Sequence, residues 1–277
     1  VADLSPVRIF TMGTGDGSRT IVGAPGNLSA FPGSVDHGGY WRSERDWPLP
    51  GTSYTPFYLH GDFSLSPEKP EAGATPPSTS YTFDPKDPVP TIGGGRWGGD
   101  SVLKPGAYDQ RGRPDFIGCA DTLPLSSSSD VLSFQTPPLE EDMEVTGPIE
   151  MHLWASSSAV DTDFTAKLVD VCEDGCARNL TDGIIRARYR RPRQPADLIG
   201  PGQVYEYTID LWATSNVFKK GHAIRLEVSS SNFPRFDRNC NTGEPIGSDA
   251  GFVSALQTVH HTSQYASHVT LTIVPRE

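Results

Sequence analysis

Several stretches of this sequence carry residues able to do chemistry, and each stops short of a reactive site. Gly51-Thr-Ser53-Tyr-Thr55 and Gly99-Asp-Ser101-Val-Leu103 approach the Gly-x-Ser-x-Gly elbow of serine hydrolases. Each lacks the second glycine, which lets the chain turn sharply and expose the nucleophile. His260 and His261 are adjacent; on a strand, neighbours point to opposite faces and cannot share one metal. Asp161-Thr-Asp163 offers two carboxylates on one side, too few to hold Ca²⁺, and reads as a cap on the loop before the next strand. Gly13-Thr-Gly-Asp-Gly17 has glycines but neither the Lys-Ser/Thr of a phosphate loop nor a helical pattern after it, so it reads as a turn. No His-Glu-x-x-His motif occurs. No residue is assigned to catalysis, and no metal or cofactor is expected.

Other residues stand out for structural or recognition chemistry. Arg235, Asp237 and Arg238 form a charge cluster of the kind that fixes a loop through guanidinium–carboxylate forks. Arg96 and Trp97 sit among five glycines in the long Pro/Gly loop 84–106. Glycine lets that backbone approach another surface closely, and long unstructured loops are usually functional or disordered. Cys172 and Cys176 flank an Asp-Gly turn, so their sulfurs can face each other across a hairpin; a disulfide or two half-buried thiols both fit. The spacing of Cys119 and Cys240 supports no second bridge. Asn27-Leu-Ser29 and Asn179-Leu-Thr181 match the glycan-acceptor pattern, a weak signal. With the cysteines they favour an oxidising, exported location.

These groups must be positioned by strands. Apolar residues alternate at Tyr205, Tyr207, Ile209 and Leu211, and again at Ile224, Leu226 and Val228, the signature of strands with one buried face. The pair, joined around Lys219-Lys220-Gly221, reads as the centre of an antiparallel sandwich. Strands are also expected at Val7–Met12, Tyr54–His60, Tyr81–Phe83, Val131–Phe134, around Met151, and from Phe164 into the Cys172–Cys176 hairpin. A further strand carries Ile185, Ala187 and Tyr189, with Arg186, Arg188 and Arg190 on its solvated face. Ala255–His260 is expected to pair with the strand carrying Val269, Leu271 and Ile273. Residues 38–50 read as a tryptophan-bearing loop clamped onto the sandwich.

The bulk numbers agree. With 28 Gly and 25 Pro in 277 residues the chain suits short strands joined by turns. Net charge of −11 argues against a nucleic-acid partner. No run of about 18 apolar residues predicts a membrane span. The chain starts at Val1 without an initiator Met or signal peptide, which suggests a processed or excised piece. The expected fold is all-β: a jelly-roll sandwich, galactose-binding-domain-like, with residues 1–130 loop-rich and residues 131–277 strand-rich within one domain 1–277.

Long phrases carry a resemblance. Ser157–Val171 (SSAVDTDFTAKLVDV), Leu180–Arg190 (LTDGIIRARYR) and Leu211–Asn239 (LWATSNVFKKGHAIRLEVSSSNFPRFDRN) are similar to the C-terminal domain of the X-Pro dipeptidyl-peptidase and cocaine-esterase (CocE/NonD) family of serine hydrolases, as are shorter stretches across the chain. The resemblance implies a jelly roll that packs on an α/β-hydrolase domain of the same parent protein and helps wall its acyl pocket. The Ser-Asp-His triad lies in that other domain in the family, and no residue here matches it, so the chain alone is expected to be inactive. The segment after Pro90-Thr-Ile92 resembles the loop that reaches the pocket, giving Arg96 and Trp97 the wall or docking role. A carbohydrate-binding module stacking sugars on Trp41, Trp47 and Trp97 is the alternative, and an independent hydrolase with an unfamiliar nucleophile is a third. A homo-oligomer is left open.

Overall fold

The computed structural model describes residues 5–15, 33–95, 102–248 and 251–275. The described strands are β1 (Val7–Thr11), β2 (Tyr40–Glu44), β3 (Ser53–Leu59), β4 (Leu65–Ser66), β5 (Ser78–Phe83), β6 (Leu132–Gln135) and β7 (Met143–Ser157), then β8 (Asp163–Val171), β9 (Ala177–Arg186), β10 (Tyr205–Phe218), β11 (Ala223–Ser229), β12 (Ala255–His260) and β13 (His268–Ile273). Helical structure among the described residues amounts to two three-residue 3₁₀ turns. The protein is an all-β sandwich with antiparallel strand pairing.

One layer is seven-stranded, in the order β4-β3-β13-β7-β12-β5, with β10 on the other side of β7. The second layer runs β6-β11-β8-β9. Alternation builds the core between them. Met151, Leu153, Tyr207, Ile209, Val269 and Leu271 point inward from the first layer, and Phe134, Phe164, Leu168, Ile224, Leu226 and Val228 from the second; all are buried. The alternate residues of β8 are buried too, because the described residues of 84–95 and 102–131 fold over that sheet's outer face. Val89, Ile92, Tyr108, Phe116, Leu125 and Val131 form a second core there. Polar pegs join this cover to the sheet: Lys167 Nζ donates to Gln110 Oε1 at 2.9 Å, and Val89 N to Ser231 Oγ at 2.9 Å.

Several elements depart from expectation. β10 and β11 belong to opposite layers, so the connection at Lys219–Gly221 crosses the sandwich. β12 pairs with β5 and β7, leaving only one bridge, His261 to Ala266, toward β13. Residues 40–44 form a strand, β2, that joins β1 in a two-stranded ribbon. The strand through Ile185 ends at Arg186, and Ala187–Tyr189 is a 3₁₀ turn. The physical reason is Asp161, whose Oδ1 accepts the Arg188 backbone N–H at 3.0 Å and takes that residue out of the ladder.

The arginines that follow are not a solvated face. Arg188 Nε donates to buried Asp161 at 2.8 Å, Arg186 forks onto buried Asp163 at 2.8 and 2.9 Å, and Arg190 pairs with Asp197 at 2.6 Å. Asn239 Nδ2 bridges the two aspartates at 2.9 Å each. Asp161 and Asp163 therefore work as the buried half of an ion-pair lattice that ties the 232–241 loop to the sheet.

Four of the described imidazoles cluster around the seven-stranded layer. The rings of His152 and His268 stack at 4.9 Å, and buried His261 meets Thr79 Oγ1 through Nε2 at 2.9 Å. Burial is the leading cause that pushes His260, His261 and His268 below 6.5. A histidine with a depressed folded pKa binds its proton more readily once unfolded, so stability rises with pH through this window. Thermal melts are expected to show lower Tm at pH 5 than at pH 7.5. His261→Asn should flatten that slope, and a slope unchanged in the variant would remove His261 as a cause.

Candidate functional site

Two of the residues singled out in the sequence, Asn179 and Arg235, come together at a cavity between β9 and the bulge of β10. Gly93 and Gly94 take positive φ of 72° and 111°, and Gly106 takes 118°. A side chain at Gly93 would collide with the Gly106 carbonyl and the Tyr108 ring, so glycine is required there. Gly94 and Gly106 then exchange both backbone hydrogen bonds, at 2.8 and 2.9 Å. This closes the base of the segment predicted to matter most. Arg96 and Trp97 themselves lie outside the described residues.

The closed base rests on Asn179 of β9. Its Oδ1 accepts from Tyr108 N at 3.0 Å and from Gln110 Nε2 at 3.2 Å. The amide of this glycan-acceptor tripeptide is thus already used as an internal strut. Beside it, Arg235 Nη1 lies 2.7 Å from Asp182 Oδ1, while Asn232 Nδ2 donates to the other oxygen at 2.7 Å. Thr91 Oγ1 donates to Asn232 Oδ1 at 2.7 Å and accepts from Arg235 N at 3.2 Å. One network therefore links the start of the glycine segment, the 231–235 loop and β9.

Opposite stands Trp212. Register in the β7–β10 pair shifts between Asp210 and Ala213, a bulge. Trp212 sits in it with φ of 67° and is 59% exposed. Asp210 Oδ1 accepts its backbone N–H at 2.7 Å. A cavity of about 320 Å³ opens between Trp212, Ala213, Gly94, Gly95, Asn179 and the Asp182–Arg235 pair. An apolar ring set against a fixed charge pair and an amide suits recognition of a mixed polar and apolar surface. Among the described residues that line it there is no Ser, Cys or His.

Of the other anticipated residues, Arg235, Asp237 and Arg238 do not pair with one another. Arg235 reaches Asp182, Asp237 meets Arg186 at 3.2 Å, and Arg238 donates to Pro85 O at 3.0 Å with its guanidinium over Phe233 and Phe252. Each fixes a different element to the loop. Cys172 and Cys176 do face each other: Cys172 N donates to Cys176 O at 2.8 Å, and both side chains are partly buried. The neighbouring Cys172 thiol holds Cys176 below the ordinary thiol range. Ser53 begins β3 opposite Ile273, a strand position rather than an elbow. Trp41 has its ring engaged by Phe10 edge-on at 5.3 Å and by Arg8 at 5.1 Å, which ties it into the ribbon. Trp47 is partly exposed in the bend after β2. Sequence reasoning passed over Trp212, and it read Asn179 as a glycan acceptor rather than as a brace.

Comparison with known proteins places these features in context. Residues 1–270 match the model of the X-Pro dipeptidyl-peptidase C-terminal non-catalytic domain. A cocaine esterase from Rhodococcus sp. (strain MB1 Bresler) is 43% identical over 244 residues, covering 85% of this chain and 40% of the esterase. Among solved structures, an aminopeptidase from a marine sediment archaeon, Thaumarchaeota archaeon, superposes with a TM-score of 0.70 at 28% identity, covering 85% of this chain and 39% of its own. An α-amino acid ester hydrolase gives 0.70 at 26% identity, with the same coverage. The chain thus spans about two fifths of the length of each of these proteins.

Proposed function

Because this chain belongs to the family of X-Pro dipeptidyl-peptidase C-terminal non-catalytic domains, we propose that it packs on an α/β-hydrolase domain of the same polypeptide and walls the acyl side of that domain's pocket. The whole protein on this reading is a serine hydrolase of acyl esters or amides. The relatives are described as a cocaine esterase, an aminopeptidase and an α-amino acid ester hydrolase, and all act on an acyl or aminoacyl carbonyl. The observation that carries the reading is the clasp at Gly94 and Gly106. It fixes both ends of a segment with Arg96 and Trp97 between them, on a rigid network of β9 and the 231–235 loop. A binding residue held on a braced base loses less conformational freedom when substrate arrives.

Trp97→Ala in the intact polypeptide is expected to lower kcat/KM on its preferred ester or amide by about tenfold or more, as loss of a large apolar pocket contact does. Unchanged steady-state kinetics would remove Trp97 from the pocket. The chain by itself, given an aminoacyl-naphthylamide or a short-chain ester, is expected to show no turnover, since no residue here matches the Ser-Asp-His triad that the resemblance places in the other domain.

A further inference from the structure

The reading above leaves open which face of the sandwich meets the catalytic domain, and one edge is built differently from the rest. It begins at the Gly94–Gly106 clasp. From there Val35 N donates to Ala107 O at 2.7 Å, which lays segment 33–39 against the clasp. His37 O then accepts from Gly13 N and Gly15 N at 2.8 and 3.0 Å. Met12 in turn bridges to Asn216, with Met12 N on Ser215 O and Val217 N on Met12 O at 2.9 Å each, so the β1–β2 ribbon is bonded to the free side of β10. Four residues back along β10 is the Trp212 bulge. Clasp, ribbon and bulge are thus one continuous edge joined by backbone hydrogen bonds.

That edge displays aromatic surface: Trp212 is 59% exposed, Phe10 and Trp41, at 37% and 62%, pack together on one face of the ribbon, and Tyr40, at 44%, lies on its other face. Large exposed aromatics along one edge mark an interaction surface. Trp212 is also held in a left-handed conformation that a bulky residue adopts only under constraint. The ring stays 59% exposed beside the cavity it lines with Gly94, Gly95 and Arg235.

We propose that this edge, with Trp212 at its centre and the β1–β2 ribbon at one end, is the docking face for the catalytic domain. The inference rests on the function proposed above. Two observations select that occupant over a second copy or a separate protein. The family places the non-catalytic domain C-terminally, so the catalytic part reaches it through β1, and β1 belongs to this edge. The Gly94–Gly106 clasp, on which the proposed function rests, lies at the other end, so a body seated on both ends covers Trp212 between them.

Hydrogen–deuterium exchange would compare this chain alone with the intact polypeptide. Amides of residues 8–12, 34–39 and 211–216 are expected to slow by tenfold or more in the intact polypeptide. Trp212→Glu should abolish the slowing at 211–216 there, while leaving the Tm of the chain alone unchanged because the ring is exposed. Protection confined to another face would overturn this inference and leave the proposed function standing. Protection nowhere would overturn both. Concentration-dependent slowing of the same amides in the chain alone would mean that a second copy occupies the edge, and would overturn it too.

Discussion

Asp163→Ala is expected to destabilise the sandwich by about 3–5 kcal/mol, the usual loss when one partner of a buried ion pair is removed. Asp163 is buried and holds Arg186 in a two-point fork, with Asn239 as a third donor. Without it, a guanidinium with only 15% of its side chain exposed keeps its charge and loses its buried counter-ion, leaving only the exposed Asp237. Proximity to Asp163 otherwise holds Arg186 well above its ordinary range. Asp237→Ala is the control. Asp237 meets the same guanidinium at 3.2 Å, but its side chain is 72% exposed, and exposed pairs contribute about 0–1 kcal/mol. Urea unfolding monitored by tryptophan fluorescence separates the two. Equal losses in both variants would mean that burial does not set the energetics of this lattice.

Phe164→Ala should cost a similar amount for a different reason. Phe164 of β8 and Tyr207 of β10 come from opposite layers, and their rings meet at 4.8 Å in the centre of the core. Truncation removes apolar burial and opens a cavity that the rigid sheets cannot close, typically 3–5 kcal/mol for Phe to Ala. The Tyr207 hydroxyl has no hydrogen-bond partner, and burial raises its pKa. The ring itself is therefore what Tyr207 contributes at this junction. Phe164→Leu keeps most of the volume and is expected to cost less than about 1.5 kcal/mol. A loss in Phe164→Ala below about 1 kcal/mol would show that the layers relax inward.

The core was legible because alternation is a direct record of burial. Met151, Phe164, Tyr207, Ile224 and Val269 all point where period two places them. β2 escaped because its ribbon lies outside the sandwich: Tyr40 to Glu44 buries neither face, so no alternation is imposed. The partners of Arg186 and Arg188 escaped because a charge row on a strand looks the same whether it faces water or a buried aspartate. Asp161 and Asp163 were visible some 25 residues upstream, but only strand register brings them together. Trp212 did leave a trace. Leu211 and Trp212 are adjacent bulky residues where alternation calls for one, which is how a bulge is written into a strand. The bracing role of Asn179 left none, since its amide works through Tyr108 and Gln110, 71 and 69 positions away.

The Gly94–Gly106 pair also bears on how such a protein diversifies. Two backbone hydrogen bonds insulate the sandwich from whatever the intervening residues become, because strain from an insertion or a swap stops at the pinch. Closure entropy grows only slowly with length, so lengthening that stretch by several residues adds little. That stretch can then be exchanged as one short cassette while the scaffold beneath it keeps its sequence.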